Sequence, residues 1–305
     1  MGGIVTSKKW CIVALLSSVT FFATAQETSL LVVGIMQDGG RPQLGCLKSC
    51  CKDMRQREFV SSIALIDSAQ HIYHFLDATP DIASQFQLIN QVLPTTYKLG
   101  AILLTHAHIG HYTGLQFLGR ESMNASQVPV YTMPRMERFL TDNGPWSQLI
   151  RLQNIQPKRL HPEQVFFLGS FQITPVLVPH RDEFSETVGY RVKGPRKSLL
   201  FIPDIDKWQK WDRSLAAEIQ KVDYAFIDGT FFADGEVNRP MREIPHPFIS
   251  ETIALLDSLP RTIRERVYFT HFNHTNPLLN PTNPDRISLE KAGYHFATTG
   301  TRLPL

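Results

Sequence analysis

Short apolar runs that end on a histidine or an aspartate are the feature that most constrains how this chain can fold. Five strand-like runs lead directly into residues of the metal-ligand types, namely His106, His180, Asp204, Asp228 and His271. Strand ends hold side chains rigidly, and α/β folds place their sites at the carboxyl ends of strands. One such ending would mean little, since every strand must end on something polar. Five endings that use only histidine and aspartate predict a shared metal site.

The remainder of the chain alternates predicted strands with predicted helices. The apolar, β-branched runs predict strands at Leu30–Ile35, Ser62–Ile66, Ile72–Leu76, Ala101–Leu104, Val128–Tyr131, Phe171–Val178, Ser198–Ile202, Tyr224–Ile227 and Val267–Phe269. Helical periodicity predicts helices at Pro80–Val92, Gly114–Arg120, Pro134–Thr141, Ser214–Val222 and Phe248–Leu259. This order indicates sheets covered by helices, and no Gly/Ser-rich linker divides the chain. We therefore expect a single catalytic domain over residues 26–305.

The N-terminus has the composition of an export signal. Lys8 and Lys9 precede an apolar stretch that runs from Trp10 to Ala23 and is followed by Thr24, Ala25 and Gln26. A basic start, an apolar run and an A-x-A end are the three parts of a secretory signal peptide. The run is shorter than the ~20 residues that span a bilayer. We therefore predict a signal peptide over residues 1–25, a periplasmic or secreted protein, and no stable membrane anchor after cleavage.

The charge of the chain argues against nucleic acid as a partner. The formal net charge is only +3, and no run of five or more Lys or Arg residues occurs. Nucleic-acid-binding domains usually carry a basic patch or stripe. We expect a small-molecule substrate instead.

The segment Thr105-His-Ala-His-Ile-Gly-His111 is the strongest local motif. Residues two apart at a strand end point the same way, so His106 and His108 can bind one ion. His111, at the start of the next helix, can face a second ion. Imidazoles at this density suit Zn²⁺, and also Mn²⁺ or Fe. Three surface histidines in a turn would be the alternative interpretation.

These residues resemble the signature of the metallo-β-lactamase superfamily, which is His-x-His-x-Asp-His followed by a lone His, an Asp and a final His. The resemblance implies an α+β fold, a four-layer αββα sandwich with the metal site along one edge of the two sheets. It also implies a first Zn²⁺ held by His106, His108 and His180, and a second held by His111, Asp204 and His271, with Asp204 bridging.

One position departs from this signature. Gly110 stands where the superfamily has an aspartate that binds the second metal. Because glycine offers no side chain, the second position is expected to lack a ligand. The number of active-site metals, one or two, stays open, and Gly110→Asp is expected to raise the affinity for the second.

Three cysteines, Cys46, Cys50 and Cys51, lie within six positions. An odd, local group does not resemble a disulfide framework, and adjacent cysteines rarely bridge each other. The segment resembles the branch that contains coenzyme PQQ synthesis protein B and a cyclic phosphodiesterase. That resemblance implies a structural zinc held by the cysteines and His274, although Cys50 departs from the branch's cysteine spacing. Cysteines without an ion are the alternative.

Three further residues are candidates for supporting roles. By the superfamily resemblance, Asp77 supports the metal loop through hydrogen bonds, as residues behind metal ligands do. Asp228 orients a ligand or simply forms a turn. His246 resembles a histidine of the phosphodiesterase relatives that protonates a leaving group, a role that suits a side chain titrating near neutrality.

Together these observations predict an exported hydrolase that uses a metal-bound hydroxide, oriented by Asp204, on a phosphodiester. Lactones, thioesters and β-lactams are alternative substrates, since one fold hosts many chemistries. A metal-dependent oxygenase or oxidoreductase like the PQQ synthesis protein is a second possibility for the function. A non-catalytic binding protein that kept the fold is a third.

Overall fold

The computed structural model describes residues 1–4, 27–53, 55, 57–238 and 240–305, so the predicted signal peptide lies almost wholly outside the described residues. The described strands are β1 Ser29–Gly34, β2 Ser62–Asp67, β3 Ile72–Leu76, β4 Lys98–Leu103, β5 Val128–Thr132, β6 Ile155–Arg159, β7 Phe166–Leu168, β8 Phe171–Leu177, β9 Val188–Lys193, β10 Ser198–Ile202, β11 Tyr224–Asp228, β12 Val267–Thr270, β13 His295–Phe296 and β14 Arg302–Pro304. The α-helices are α1 Ile82–Val92, α2 Ile109–Tyr112, α3 Pro134–Asp142, α4 Trp146–Arg151, α5 Leu215–Ile219, α6 Ile249–Leu256, α7 Arg261–Arg264 and α8 Pro284–Lys291.

The strands form two mixed sheets of related construction. The first has the order β14-β1-β2-β3-β4-β5-β6, and the second has the order β13-β12-β11-β10-β9-β8-β7. In the first sheet the pairs from β3 to β6 are parallel and the others antiparallel. In the second sheet the pairs from β10 to β13 are parallel and the others antiparallel. Each sheet therefore has one parallel half and one antiparallel half.

Successive residues along a strand face opposite sides of the sheet, so they belong to different layers of the fold. In β1, Leu30 and Val32 belong to the apolar cluster that includes residues of both sheets, whereas Leu31 and Val33 belong to a second cluster that includes residues of α1, α3 and α4. This period of two is the signature of a strand with both faces buried. The result is helix, sheet, sheet, helix, and the predicted αββα sandwich is confirmed.

One local prediction needs correction, and five strands were missed. The segment predicted as a helix at Gly114–Arg120 forms a 3₁₀ helix at Thr113–Leu118. The apolar pattern did not predict β6, β7, β9, β13 or β14. No helix within the described ranges is both long and apolar enough to cross a membrane.

The strand directions bring the predicted ligands to one edge of the sandwich. Strands β10, β11 and β12 are mutually parallel, so the residues at their carboxyl ends, Asp204, Asp228 and His271, lie at the same sheet edge. In the other sheet β3 and β4 are parallel, which places Asp77 beside the segment that carries His106. β1 is antiparallel to β2, which is antiparallel to β3, so the end of β1 points to this edge as well.

Candidate metal centre

Asp204 lies at the middle of a cluster of imidazoles that we call the histidine–aspartate centre. Its Oδ2 lies 3.3 Å from His106 Nε2, and its Oδ1 lies 3.2 Å from His180 Nε2. His108 Nδ1 lies 3.3 Å from His180 Nε2 and 3.9 Å from Asp204 Oδ2. The ligand atoms of these four residues all lie within 4.8 Å of one another. The structure thus brings together the residues that sequence analysis assigned to the first metal.

The other two predicted ligands approach the same carboxylate through its Oδ2 atom. His111 Nε2 is 3.7 Å from Asp204 Oδ2, and His271 Nε2 is 3.8 Å from the same atom. Both imidazoles are fully buried. The Asp204 carboxylate therefore lies near ligand atoms of both predicted metal positions, as a shared ligand would have to.

Hydrogen bonding provides a test of whether this site suits a cation. Five buried atoms of the centre have no hydrogen-bond partner among the described residues: His106 Nε2, His111 Nε2, His180 Nδ1, His271 Nε2 and Asp204 Oδ1. Buried polar atoms nearly always have partners, because an unsatisfied one costs free energy. Imidazole nitrogens and carboxylate oxygens that converge in this way are the donors that Zn²⁺, Mn²⁺ and Fe take in proteins. The residues therefore fit a divalent metal.

A buried aspartate and threonine orient the histidines of the first sheet. Thr105 donates to Asp77 through its backbone N–H, at 2.7 Å, and through its hydroxyl, at 2.9 Å. Because the Thr105 hydroxyl proton is already donated to Asp77, Thr105 Oγ1 acts as an acceptor, and His106 Nδ1–H donates to it at 2.9 Å. His111 Nδ1 donates to Asp77 directly at 2.7 Å. Both rings are thereby held with Nε2 facing the centre, which is the usual role of groups behind metal ligands.

The second sheet repeats this arrangement. Thr230 donates to Asp228 Oδ1 through its backbone N–H, at 2.9 Å, and through its hydroxyl, at 2.7 Å. His271 Nδ1 in turn contacts Thr230 Oγ1 at 2.9 Å. The Asp77–Thr105–His106 and Asp228–Thr230–His271 chains therefore orient one imidazole from each sheet. Sequence analysis missed both threonines, although each is close in sequence to a predicted ligand or supporting aspartate.

Two of these residues have a strained backbone. Asp77 has φ 72° and His271 has φ 61°, both in the left-handed region that non-glycine residues seldom adopt. Such conformations persist only where surrounding contacts enforce them, and they concentrate at functional sites.

Burial and neighbouring charges set the protonation of the centre. Burial lowers the pKa of His271 to about 4 and that of His106 well below its ordinary value. Both rings are therefore neutral at pH 7, which is the form that binds metals. Burial also acts to lower the pKa of His111, but the Asp77 carboxylate outweighs it and raises that pKa to about 9, so an ion at His111 Nε2 would displace a proton. Burial would raise the pKa of Asp204, yet electrostatic interaction with the neighbouring His180, His246 and His271 imidazoles holds it well below its ordinary value.

His246, predicted only from a loop motif, lies within the centre. Its Nδ1 donates to Asp228 Oδ2 at 2.8 Å and lies 3.2 Å from Asp204 Oδ1. Its Nε2 lies 3.5 Å from Gln37 Nε2. Burial acts to lower the pKa of His246, but the charges of Asp228 and Asp204 outweigh burial and raise it to about 9.

A second group of ligand atoms, which we call the cysteine cluster, consists of Cys46, Cys50, Cys51 and His274. Their ligand atoms all lie within 4.8 Å of one another, and none of the cysteines forms a disulfide. The buried His274 Nδ1 has no hydrogen-bond partner among the described residues. Burial raises the pKa of the Cys51 thiol to about 11, whereas the Lys48 backbone N–H lowers that of Cys46. Three thiols and one imidazole make up a ligand set found in structural zinc sites.

Comparison with known proteins now identifies the fold. Residues 74–272, more than half of the chain, match the family described as Beta-lactamase superfamily domain. The chain belongs to the beta-lactamase superfamily. The matched segment contains every predicted ligand of the histidine–aspartate centre, whereas the cysteine cluster lies outside it.

Relatives that align with about nine tenths of this chain include coenzyme PQQ synthesis protein B from several bacteria. The chain is 27% identical to coenzyme PQQ synthesis protein B of Klebsiella pneumoniae over 312 residues, which covers 90% of this chain and 97% of that protein. It is 26% identical to the protein of the same name from Cupriavidus necator over 314 residues, covering 91% and 100%. Both alignments extend beyond the superfamily segment at each end.

Two solved structures show the same fold. The Zn²⁺-bound PqqB of Methylobacterium extorquens superposes with a TM-score of 0.77 and 24% identity, covering 91% of this chain and 100% of that chain. A diphosphatase of the PhnP family superposes with a TM-score of 0.67 and 21% identity, covering 92% and 98%.

The structure corrects the expectation about Gly110 in this superfamily member. A Cβ at residue 110 would lie 2.3 Å from Asp38 Oδ1 and 2.6 Å from Asp38 Cα. The space next to Gly110 is therefore filled, and Gly110→Asp cannot simply add a ligand there. Sequence analysis missed Asp38. Its position was nevertheless a signal in the sequence, because Asp38 follows the first strand closely and precedes Gly39 and Gly40. Other strands of this chain also end on ligand residues.

Proposed function

We propose that this protein is a metal-dependent hydrolase that cleaves a small phosphodiester. The observation that supports the proposal best is the convergence of buried, unpartnered imidazole and carboxylate atoms around Asp204. Such an arrangement costs stability unless a cation completes it. Membership of a superfamily in which the metal site serves hydrolysis adds to this argument.

In the proposed centre His106, His108 and His180 would hold one cation, His111 and His271 would face a second, and Asp204 is near both sets of ligand atoms. A divalent cation supplies Lewis acidity, lowering the pKa of a bound water toward neutrality and stabilising negative charge on a substrate oxygen. Asp204 stays ionised and accepts a hydrogen bond from the attacking water, which fixes the direction of attack. His108, whose side chain is 14% exposed, marks the side from which a substrate enters.

His246 is the proposed proton donor to the leaving group. The charges of Asp228 and Asp204 keep it protonated at neutral pH, and Asp228 fixes the ring through Nδ1. Nε2 then remains to deliver a proton to the departing oxygen. General acids of this kind contribute roughly 10²–10⁴-fold to a rate.

A leaving-group series tests this role. We expect His246→Asn to slow cleavage of an alkyl phosphodiester by about 10²-fold or more. Cleavage of bis(p-nitrophenyl) phosphate should fall far less, because p-nitrophenolate leaves without a proton. Equal losses on both substrates would show that His246 does not act as the acid.

The choice of a phosphodiester has two supports. The cysteine cluster and His246 together resemble the cyclic phosphodiesterase branch, and a structure with the same fold is named as a diphosphatase. Lactones, thioesters and β-lactams are the competing substrates for the same centre.

A second candidate is an oxidoreductase or oxygenase related to PQQ synthesis. The observation that favours it is the 27% identity with coenzyme PQQ synthesis protein B across 90% of this chain. Metal identity and substrate preference together separate the two candidates, because iron suits oxygen chemistry whereas redox-inactive zinc acts as a Lewis acid in hydrolysis.

The deciding experiment combines metal quantification with a substrate screen. The purified protein is analysed for zinc, iron and manganese, then assayed with bis(p-nitrophenyl) phosphate, a lactone, a thioester and a cephalosporin. We expect zinc, phosphodiester cleavage, loss of activity on chelation and recovery when Zn²⁺ is added back. Bound iron with metal-dependent oxygen consumption, and no cleavage of any ester, would overturn the proposal in favour of the second candidate.

We also propose that the protein is exported after cleavage behind Ala25. This proposal is supported by the basic and apolar segments of residues 1–25 and by the position of β1, which begins at Ser29 and is left intact by that cleavage. Expression of the full chain in a bacterial host and N-terminal sequencing of the periplasmic fraction should give Gln26 as the first residue. An uncleaved, cytoplasmic product would contradict it.

A further inference from the structure

Asp38 and Gly110 fit each other in a way that the superfamily signature does not anticipate. We infer that Asp38 supplies the carboxylate ligand of the second cation position, in place of the side chain that residue 110 lacks. The inference rests on the metal centre of the proposed function but not on its substrate.

Asp38 occupies the space that a side chain at residue 110 would need. Gly110 N–H donates to Asp38 Oδ1 at 3.2 Å, so the carboxylate lies directly against the glycine. An ideal Cβ at residue 110 would be 2.3 Å from that oxygen and 2.6 Å from Asp38 Cα, closer than real Cβ contacts. The backbone of the loop after β1, which carries Asp38, therefore occupies the place where a side chain at residue 110 would lie. Glycine at 110 is what allows Asp38 to approach.

Asp38 completes a set of metal-ligand atoms with His111 and His271. Asp38 Oδ1 lies 3.6 Å from His111 Nε2, and the ligand atoms of Asp38, His111 and His271 lie within 4.8 Å of one another. The Nε2 atoms of both histidines are buried and have no hydrogen-bond partner in the described part of the chain. One carboxylate and two imidazoles are a common ligand set for a divalent cation.

Backbone hydrogen bonds hold the loop that carries Asp38 in position. Gln37 N–H donates to Phe272 O at 2.8 Å, and Phe272 N–H donates to Ile35 O at 2.8 Å. Gly40 N–H closes a turn onto Gln37 O at 2.8 Å. Asp38 thus sits in a turn whose backbone is tied to the residue after His271, so the carboxylate and that imidazole are positioned together.

A purely structural role makes a different prediction. If Asp38 only accepted the Gly110 N–H, an asparagine would serve as well, because its amide oxygen accepts the same bond. A ligand role requires the negative charge. Asp38→Asn therefore distinguishes the two roles without removing the hydrogen bond to the backbone.

The experiment is a Co²⁺ titration of the metal-free full-length protein without substrate. Co²⁺ bound by cysteine gives thiolate charge-transfer bands, which separates that ion from those at the histidine–aspartate centre. We expect two Co²⁺ ions at the centre of the wild-type protein. In Asp38→Asn the affinity for one of them should fall at least about tenfold, the size of loss seen even for residues behind a ligand. Asp212→Asn, at an exposed surface acid, is the charge-matched control and should behave as wild type.

A swap of the two positions tests the geometry itself. Gly110→Asp alone should not raise the affinity for the second Co²⁺, because the new side chain collides with Asp38. The double variant Asp38→Gly with Gly110→Asp restores the superfamily arrangement and should recover most of the lost affinity. Circular dichroism and melting of each metal-free variant establish that the fold is retained.

The outcomes separate this inference from the proposed function. Unchanged binding of both ions by Asp38→Asn, or tighter binding by Gly110→Asp alone, would overturn the role of Asp38 and leave the hydrolase standing. A wild-type centre that takes up a single ion, with the same affinity in Asp38→Asn, would do the same. A centre that binds no Co²⁺ at all would overturn both.

Discussion

The histidine–aspartate centre and the cysteine cluster both gather metal-ligand side chains, but the chain builds them in different ways. The ligands of the centre lie at or just beyond strand ends of both sheets, and two Asp–Thr pairs fix the orientation of its imidazoles. Three of the four members of the cysteine cluster belong to one loop, where the described regular structure is the short 3₁₀ helix Ser49–Cys51.

This difference indicates which of the two sites would need an ion for stability and which would need an ion for catalysis. Strand ends are positioned by sheet hydrogen bonds and by the buried core, so we expect the centre to form with or without its ion. The loop of the cysteine cluster has little such support, and an ion there would tie it to His274 beside the centre. We therefore expect the centre to govern turnover and the cysteine cluster to govern stability.

The largest expected effect is that of His108→Ala on turnover. This change removes a ligand whose side chain is partly exposed, so the core is left intact. We expect turnover to fall about 10³-fold or more, because a metal supplies several kcal/mol of transition-state stabilisation. Steady-state kinetics and a melting curve measure the two properties. His161→Ala, at an exposed histidine, is the matched control. A large fall in the melting temperature with little loss of turnover would contradict a role for the histidine–aspartate centre in turnover rather than in stability.

Asp77→Asn should have an intermediate effect. It keeps the shape of the side chain, and asparagine tolerates the left-handed backbone at this position. It removes the charge that receives hydrogen bonds from Thr105 and His111. We expect roughly a 10–100-fold loss of metal affinity or turnover. The measurement is metal titration beside kinetics, with Thr105→Ser, which keeps the hydroxyl, as control. Wild-type affinity in Asp77→Asn would show that the pair does not orient the ligands.

The smallest effect on turnover is expected from Cys46→Ser. Loss of a thiolate should lower the zinc content by one ion per chain and the melting temperature by about 5 °C, at ~2–4 °C for each kcal/mol. Turnover should stay within about twofold of wild type, since the centre is intact. Metal analysis, calorimetry and kinetics on one preparation provide the data. Lost activity with an unchanged melting temperature would contradict a structural role for the cysteine cluster.

Sequence patterns predicted the central strands well and the edge strands poorly. Strands such as β4 and β10 are continuous apolar runs, which a strand buried on both faces requires. β6 contains Pro157 and charged residues, which are tolerated because β6 is an edge strand. β9 has Gly189 in its interior, where a side chain would meet Phe201 and Ile202 of the neighbouring strand. Neither the proline of β6 nor the glycine of β9 is typical of a strand, and each is explained only by the neighbouring strands in the folded sheet.

The sequence by itself determined the ligand types, their order and their places at strand ends, because these follow from local composition and from the period of two along a strand. Only the tertiary structure showed that Thr105 and Thr230 orient imidazoles in both sheets and that Asp38 fills the space beside Gly110. The Asp38–Gly110 contact joins residues 72 positions apart. It depends on the directions of β1, β3 and β4 in one sheet, and no local pattern records which strand ends lie side by side.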